Sequence, residues 1–300
     1  MSKYVWLVDT IYKARRITFQ NINRLWCENV DMSGGEDLPV RTFNNWRYAI
    51  QDMFGLFIEN ERCGSYRYYI DNEEDIKNNG LRSWLFNTFS VGNTLAGCQN
   101  IKDRIVLEYV PSGQVYLQSI IEAMKGDRVI NITYKSFWSE VEKNYDVEPL
   151  CLKLFRQRWY MVGKLHNEDL DPWIYALDRI KYLEKKDETF TMPKNWNAES
   201  YFDGSFGIFP NPMGEKEIVK LKVATTQANY IRALKLHHSQ QEVERNDEYS
   251  IFTYHIRATY DFIQELLWNA EFVEVLEPQW LRKEMATKTE KMYNLYKDKQ

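Results

Sequence analysis

The sequence predicts an α+β multidomain chain made of three successive parts. Helical periodicity followed by one hairpin pattern occupies residues 1–72, a run of short strands occupies residues 127–185, and strand and helix patterns alternate over residues 218–300. The chain has 300 residues, of which 44% are hydrophobic. That length and composition provide apolar material for about two or three domains.

The first part, residues 1–72, shows three helix patterns and then a β-hairpin. Thr18 is the predicted N-cap of the second helix, because a threonine side chain can accept a hydrogen bond from the first turn. The third helix is predicted over residues 40–54, directly after Pro39. Alternation on both sides of residues 63–65 predicts the hairpin.

The third helix has two chemically different faces. At about 100° per residue, one side collects apolar residues: Phe43, Trp46, Ile50, Met53 and Phe54. The opposite side and its borders, together with the hairpin, supply the predicted DNA-binding residues: Arg41, Thr42, Asn44, Asn45, Arg47, Tyr48, Arg62 and Arg67. Arginine and asparagine can pair with guanine and adenine edges in the major groove, and basic hairpin residues suit phosphates. The alternative is an ordinary amphipathic helix with a solvated face.

Charge limits how this first part can bind DNA. Residues 1–70 hold nine basic and eight acidic residues, a balance of +1, and the whole chain carries −4. That balance is weak for one chain on a polyanion. The prediction of double-stranded DNA as partner therefore includes a homodimer, which doubles the contacts.

Residues 73–126 are predicted to form a helical linker, and residues 127–185 a small barrel or strongly bent sheet. Strand alternation places Arg158 and Tyr160 on one face and Trp159 and Met161 on the other. The strand predicted over residues 173–183 likewise places Tyr175, Leu177 and Arg179 on one face, opposite Ala176 and Asp178.

A bridging loop, residues 186–217, precedes the last part of the chain. Residues 218–300 show a pattern of βαββαβ type, which predicts a ferredoxin-like α+β unit. Residues 237–244 are predicted to be a polar loop. Its two histidines, His237 and His238, lack a third ligand that would indicate a metal site.

The middle strands resemble the WYL domain. The resemblance rests on "RWYMVGKL", on Tyr134, on "EPLCL" and on "YALDRI", and it covers about residues 128–183. It implies an Sm-like or SH3-like barrel that senses a ligand, with an N-terminal winged helix-turn-helix and a C-terminal extension. A protein of this kind regulates transcription, and the effector implied for several members is a nucleic acid or nucleotide.

The positions that match the family pattern are Tyr134, Trp159, Tyr160, Tyr175, Asp178 and Arg179. The predicted ligand-binding residues are Tyr134, Ser136, Lys153, Arg158, Tyr160, Tyr175 and Arg179. Trp159 is expected in the core, and Arg179 has the alternative of pairing with a carboxylate. Tyr145 and Ala176 stand where the family often has basic residues, which weakens the expectation of a polyanionic ligand.

Other functional classes lack support in the sequence. There is no P-loop, G-x-S-x-G, G-x-G-x-x-G or H-E-x-x-H, so no enzyme and no cofactor are predicted. Four scattered cysteines and the absence of a signal or membrane segment predict a cytoplasmic protein without membrane partners. Two alternatives remain: an RNA or single-strand binder that stacks bases on Tyr134, Tyr160 and Tyr175, and an interaction module for other partners.

Overall fold

The computed structural model of the chain describes residues 2–77, 81–96, 104–106, 113–210 and 214–297. It divides into two compact units, Met1–Glu108 and Tyr109–Gln300. The helices and strands described in the first unit are α1 (Ser2–Ala14), α2 (Phe19–Glu28), α3 (Val30–Ser33), α4 (Val40–Phe54), β1 (Ile58–Asn60), β2 (Tyr68–Ile70), α5 (Glu74–Lys77) and α6 (Leu81–Ala96).

Three indole rings form the centre of the first unit. Trp26 on α2 makes edge-to-face contacts with Trp6 on α1 and Trp46 on α4, with ring centroids 5.1 Å apart in both pairs. Strands β1 and β2 pair antiparallel, and the backbones of Ile17 and Tyr68 also bond to each other. The hairpin is therefore tied to the turn between α1 and α2, and aromatic packing fixes α4 against both earlier helices.

Helix α4 has the predicted bounds, and its apolar face is buried at Phe43, Trp46, Ile50 and Phe54. Met53 differs from the prediction because its side chain is 41% exposed. Thr18 caps α2 as predicted, since its hydroxyl oxygen accepts a hydrogen bond from the backbone N–H of Asn21 at 3.3 Å.

The stretch predicted as a helical linker contains several separate elements. Helix α6 packs against α1 in the first unit. Helix α7 (Leu117–Lys125), which follows a 3-10 turn at Gln114–Tyr116, belongs to the second unit. Residues 78–80, 97–103 and 107–112 of the predicted linker lie outside the described residues.

The second unit begins with a five-stranded antiparallel sheet in the order β6-β5-β4-β3-β7. Its strands are β3 (Arg128–Tyr134), β4 (Lys143–Phe155), β5 (Arg158–Leu165), β6 (Trp173–Ala176) and β7 (Ile180–Thr189). Helix α7 packs on one face, where a core forms around Ile130, Ile132, Val147, Met161 and Tyr175. Trp159 packs against this core, in the position that the alternation predicts.

The prediction of one strand running from residue 173 to 183 is wrong. Leu177–Arg179 form a 3-10 turn between β6 and β7, the two outer strands of the sheet. Alternation therefore ends at Ala176 and does not place Leu177 and Arg179 on the face of Tyr175. Because three residues connect opposite edges, the sheet has to curl strongly, and Lys135 N–H bonds to the carbonyl of Arg179 at 3.1 Å.

After a bridging stretch that contains α8 (Ala198–Phe202), a four-stranded antiparallel sheet follows in the order β11-β8-β10-β9. Its elements are β8 (Glu217–Ala224), α9 (Thr225–Ala233), β9 (Gln241–Arg245), β10 (Tyr249–Ile256), α10 (Tyr260–Trp268), β11 (Val273–Glu277) and a final helix α11 (Gln279–Tyr296). Strands β8 to β11 and their two helices have the predicted βαββαβ order.

The predicted polar loop over residues 237–244 is wrong in its second half, which is the edge strand β9. All five side chains of β9 are exposed. The strand therefore carries no apolar alternation from which it could be predicted. Among the described residues, no helix combines the length and apolar character that a membrane span requires.

Gly163 in the middle of β5 gives a stability prediction. A Cβ at this position would lie 2.3 Å from Cγ1 of Val147 in the core, so Gly163→Ala forces the sheet apart. We expect a loss of about 1–3 kcal/mol in the free energy of unfolding, measured by urea denaturation of the full chain.

Gly126→Ala is the matched control in the same unit, because its added Cβ would meet only the Arg128 side chain, at 3.6 Å. This variant should unfold like the parent chain. Equal stability of the two variants would show that β5 and β4 are not packed as closely as described.

Candidate ligand pocket and nucleic-acid surface

A pocket of about 520 Å³ opens beside the curled end of the five-stranded sheet. Strand residues, the loop after β3 and the bridging stretch line it: Tyr134, Ser136, Trp138, Ser139, Val141, Lys143, Tyr145, Tyr160, Trp173, Ile174, Tyr175, Ala176, Arg179, Ile208 and Phe209. Five of the seven predicted ligand-binding residues are in this set: Tyr134, Ser136, Tyr160, Tyr175 and Arg179. The walls are mainly aromatic, which suits a planar ligand.

Three tyrosines from three strands meet at this pocket. The ring of Tyr175 on β6 stands edge-to-face with Tyr134 on β3, with centroids 5.4 Å apart, and lies 6.2 Å from the ring of Tyr145 on β4. The backbone N–H of Ala176 donates to the hydroxyl of Tyr134 at 3.2 Å. The curl of the sheet thus brings the outer strand β6 to the inner strand β3, and this hydrogen bond joins them.

Two polar atoms at the pocket are buried without a hydrogen-bond partner. They are the hydroxyl of Tyr175, whose side chain is 2% exposed, and Nε of Arg179. Burial raises the pKa of Tyr175, so its hydroxyl stays protonated at neutral pH. Unpaired buried polar groups are costly, and a ligand that bonds to them recovers part of that cost.

The loop between β3 and β4 adds a second, adjoining pocket of about 820 Å³. The guanidinium of Arg179 lies 3.7 Å from the ring centroid of Phe137, which is 74% exposed. Trp138 beside it is 96% exposed, and Lys135 and Lys181 also line this second pocket. The loop therefore presents aromatic rings and positive charge together, the combination that binds nucleobases and phosphates.

Two predicted ligand-binding residues do not line the pocket of about 520 Å³, which is called the aromatic pocket from here on. Arg158 donates to the carboxylate of Asp178 at 2.5 Å. The Nζ of Lys153 lies 3.7 Å from the ring centroid of Phe202, on the side of the sheet covered by the bridging stretch. Burial lowers the pKa of Lys153 to about 8, and the carboxylate of Asp261 opposes that shift.

Several residues that line the pocket were not among the predicted ligand-binding residues. They include Trp138, Tyr145, Trp173, Ile208 and Phe209. One signal was available for Trp173, which is two residues before Tyr175 on the same strand. Tyr145 was noted only as a departure from the family pattern. Ile208 and Phe209 come from the bridging stretch, whose position beside the sheet depends on contacts remote in sequence.

In the first unit, α4 exposes part of the predicted DNA-binding set. Arg41, Asn45 and Tyr48 are exposed, with Tyr48 at 69%, whereas Thr42 and Asn44 are half-buried. The exposed residues follow one another along one side of the first three turns. That side can approach a duplex without disturbing the packed face of the helix.

Three predicted DNA-binding arginines have different surroundings. Arg47 donates through Nε to the carbonyl of Ile58 at 2.9 Å and so ties α4 to the hairpin. Arg67 makes two hydrogen bonds with the carboxylate of Glu61, which lower the pKa of Glu61. Arg62 is exposed at the hairpin tip. Of these three, Arg62 is the best placed for a phosphate contact.

Among the residues that the structure describes, no group of histidine, cysteine, aspartate or glutamate side chains is arranged to hold a metal ion. The His237 and His238 rings stack with centroids 3.9 Å apart, and burial lowers the pKa of His237 to about 4. His237 is half-buried and His238 is exposed, so the pair is not fully solvated.

The second unit contains two domains that match known families. Two family models match the sequence, the WYL domain over residues 115–185 and the WCX domain over residues 215–293. The chain thus contains a WYL domain followed by a WCX domain, which confirms the predicted WYL resemblance and its C-terminal extension.

Among solved structures, the chain is similar to the proteasome accessory factor B/C (PafBC) of Arthrobacter aurescens, with 17% identity, a TM-score of 0.38, and coverage of 97% of this chain and 47% of that chain. It is also similar to a CRISPR Cas-related protein, with 13% identity, a TM-score of 0.36, and coverage of 87% and 75%. The chain therefore spans about half the length of the PafBC chain that it matches. No curated protein matches the sequence.

The unpaired hydroxyl of Tyr175 gives a prediction with an internal control. Tyr175→Phe removes a buried polar group that has no partner, so we expect the free energy of unfolding to stay equal or to rise by about 1 kcal/mol. Tyr254 is equally buried, but its hydroxyl bonds to Gln240 at 3.1 Å. Tyr254→Phe should therefore lower stability by about 1 kcal/mol.

Both variants are compared with the parent by urea denaturation in the absence of any ligand. A clear loss of stability in Tyr175→Phe would mean that the hydroxyl is already satisfied within the protein, and the argument for a polar ligand at this point would fail.

Proposed function

We propose that this protein is a DNA-binding transcriptional regulator in which the WYL pocket binds an effector and thereby changes the affinity for an operator. The single observation that carries the proposal is the WYL pocket, where the rings of tyrosines from three strands meet and the hydroxyl of one of them, Tyr175, is buried without a partner. A pocket with that feature supports a sensory role. It also favours a regulatory over a catalytic role.

The first unit supplies a surface that suits duplex DNA. We assign base contacts to Arg41, Asn45 and Tyr48, and a phosphate contact to Arg62, because these side chains are exposed on α4 and the hairpin. Arg47 and Arg67 have protein partners and are assigned to holding the hairpin in place. The small positive balance of this part supports a homodimer, in which two such surfaces share one operator.

Within this proposal the first unit is a winged helix-turn-helix, with the loop between β1 and β2 as the wing. The five-stranded sheet is an Sm-like or SH3-like barrel, supported by the three-residue turn that joins its outer strands. The C-terminal unit is ferredoxin-like, supported by its βαββαβ order.

The effector that fits the pocket chemistry best is a nucleic acid or nucleotide. Exposed Trp138 and Phe137 offer stacking surfaces, and Arg179 and Lys143 offer positive charge. Tyr145 and Ala176 line the pocket where the family often has basic residues. Recognition is therefore expected to rest more on stacking than on phosphate neutralisation.

A second function is favoured by the same loop. Exposed aromatic residues beside cations also suit the binding of RNA or single-stranded DNA as the main activity, with the first unit serving assembly. Affinities for duplex and single-stranded oligonucleotides at one salt concentration separate the two functions. Tighter binding of the duplex supports the regulator.

The role of α4 is tested with duplex DNA from upstream of the protein's own coding sequence. Arg41→Ala combined with Asn45→Ala should weaken binding at least about 30-fold, because each lost base contact costs about 1–3 kcal/mol. Binding is measured by fluorescence anisotropy over a series of salt concentrations, since phosphate contacts make the affinity of the parent fall steeply with salt.

Arg24→Ala is the matched control, because Arg24 is exposed on α2 and pairs with Glu28 within the same helix. It should change the affinity for the duplex by less than about threefold, because it removes one positive charge from the protein and no direct contact with the DNA. A double variant that binds as tightly as the parent would remove α4 from the DNA interface.

The effector role is tested with a short single-stranded oligothymidylate. This probe should bind the parent chain and change its affinity for the duplex. Arg179→Ala should weaken binding of the probe about tenfold or more, since a hydrogen bond to a charged group contributes about 1.5–3 kcal/mol. Without the probe, the variant should bind duplex as the parent does.

Lys194→Ala removes an exposed cation that lines neither pocket and should leave probe binding unchanged. If the probe binds the Arg179 and Lys194 variants equally well, the pocket is not the site at which the oligonucleotide binds.

A further inference from the structure

One wall of the aromatic pocket does not come from the WYL sheet. Ile208 and Phe209 belong to the bridging stretch, in its part after α8, and they line the pocket together with Tyr160 and Ile174. Phe209 is 46% exposed, so its ring has a surface left for a ligand. What fixes these two residues therefore decides the width of the pocket.

The bridging stretch runs along the residues that lead into α10 of the C-terminal unit. The backbone N–H of Arg257 donates to the carbonyl of Gly204 at 2.6 Å, and Ser205 and Arg257 form a parallel bridge. The hydroxyl of Thr259 donates to the carbonyl of Phe206 at 3.4 Å. These contacts bring the stretch to the first turn of α10.

At that turn, the carboxylate of Asp261 bonds directly to the pocket wall formed by Ile208 and Phe209. Oδ2 of Asp261 accepts hydrogen bonds from the backbone N–H groups of Ile208 at 2.6 Å and of Phe209 at 3.0 Å. The ring of Phe209 also stands edge-to-face with Tyr260, with centroids 5.7 Å apart. Two charge-assisted hydrogen bonds to consecutive amides fix both the position and the direction of this short piece of backbone.

The chain at Gly207 is adapted to this close approach. Gly207 has φ +83°, a conformation that other residues rarely adopt. A Cβ at this position would lie 2.2 Å from Oδ2 of Asp261. Only glycine leaves the carboxylate room to reach both amides, so the contact can be broken from either side by a single substitution.

The same carboxylate faces the WYL sheet. Its charge opposes the fall in the pKa of Lys153, which lies directly across from Tyr160 in the register of β4 and β5. One turn further along α10, the carboxylate of Glu265 accepts a hydrogen bond from Arg156 in the turn between these strands. Glu265 thus links α10 to the sheet that carries the pocket, and Asp261, one turn earlier, bonds to the pocket wall.

We propose that Asp261 is a positioning residue for the WYL pocket, and that the pocket is a composite site whose outer wall is held in place by helix α10 of the C-terminal unit. This assignment rests on the proposed ligand-binding function of the pocket. A ligand that stacks on Phe209 contacts a wall fixed by Asp261, and the C-terminal unit thereby contributes to affinity without touching the ligand.

The test uses the full chain and three variants. Asp261→Asn removes the charge of the contact and Gly207→Ala crowds it from the other side, whereas Gln264→Ala, at an exposed position of the same helix, is the control. Hydrogen exchange of residues 203–210, followed by mass spectrometry, should be at least about tenfold faster in the first two variants and within about twofold of the parent in the control. Equally fast exchange in the control, or unchanged exchange in Asp261→Asn, overturns the proposal.

Affinity for the short oligothymidylate gives the second measurement. Asp261→Asn and Gly207→Ala should raise its Kd about tenfold, and Gln264→Ala should leave it within about twofold. Faster exchange together with an unchanged Kd would overturn the composite pocket. A parent chain that binds no probe would overturn the effector proposal and the composite binding site with it, while the exchange measurement still decides whether Asp261 holds the wall.

Discussion

The three-residue turn Leu177–Arg179 imposes the geometry on which the candidate site depends. It joins the two outer strands of a five-stranded sheet, and it can do so only if the sheet curls until its edges approach each other. The curl brings the hydroxyl of Tyr134 on β3 to the backbone N–H of Ala176 on β6. Without that closure, the aromatic rings would lie along a flat surface and would enclose no cavity.

The same turn concentrates charge at the mouth of the pocket. Asp178 and Arg179 are consecutive residues of a tight turn, and their side chains take different partners. Asp178 accepts a hydrogen bond from Arg158, whereas Arg179 lies over the ring of Phe137. Nε lacks a hydrogen-bond partner in both arginines, but Asp178 balances the charge of Arg158, whereas the guanidinium of Arg179 faces an aromatic ring. Of the two arginines, Arg179 is the one that can respond to an anionic or planar ligand.

Local periodicity was sufficient to predict much of the fold, including the bounds of α4 and β5. The WYL resemblance supplied Tyr134, Tyr160, Tyr175 and Arg179, which line one pocket; their part in ligand binding stays a prediction. The predictions failed where the signal is not local. Strand β9 has no buried face, and the turn at Leu177–Arg179 interrupts a pattern that otherwise continues. The direction of Lys153 and the pocket wall at Phe209 depend on residues about 50 to 100 positions away.

The physical requirement for a sensor is that its ligand binds two arrangements of the protein with different affinity, since a ligand of equal affinity shifts no equilibrium. A rigid pocket made by the WYL sheet alone would have nearly the same ligand affinity in both arrangements. A pocket wall held by the carboxylate of Asp261 on α10 allows a larger difference in ligand affinity between two arrangements. The hydrogen bonds of Asp261 can be kept or lost while the sheet remains intact. The helix also bears Glu265, which is bonded to Arg156 of the WYL sheet. In the proposed composite pocket, Glu265 anchors the helix to the WYL sheet and Asp261 positions the wall, and through these two contacts α10 takes part in ligand binding.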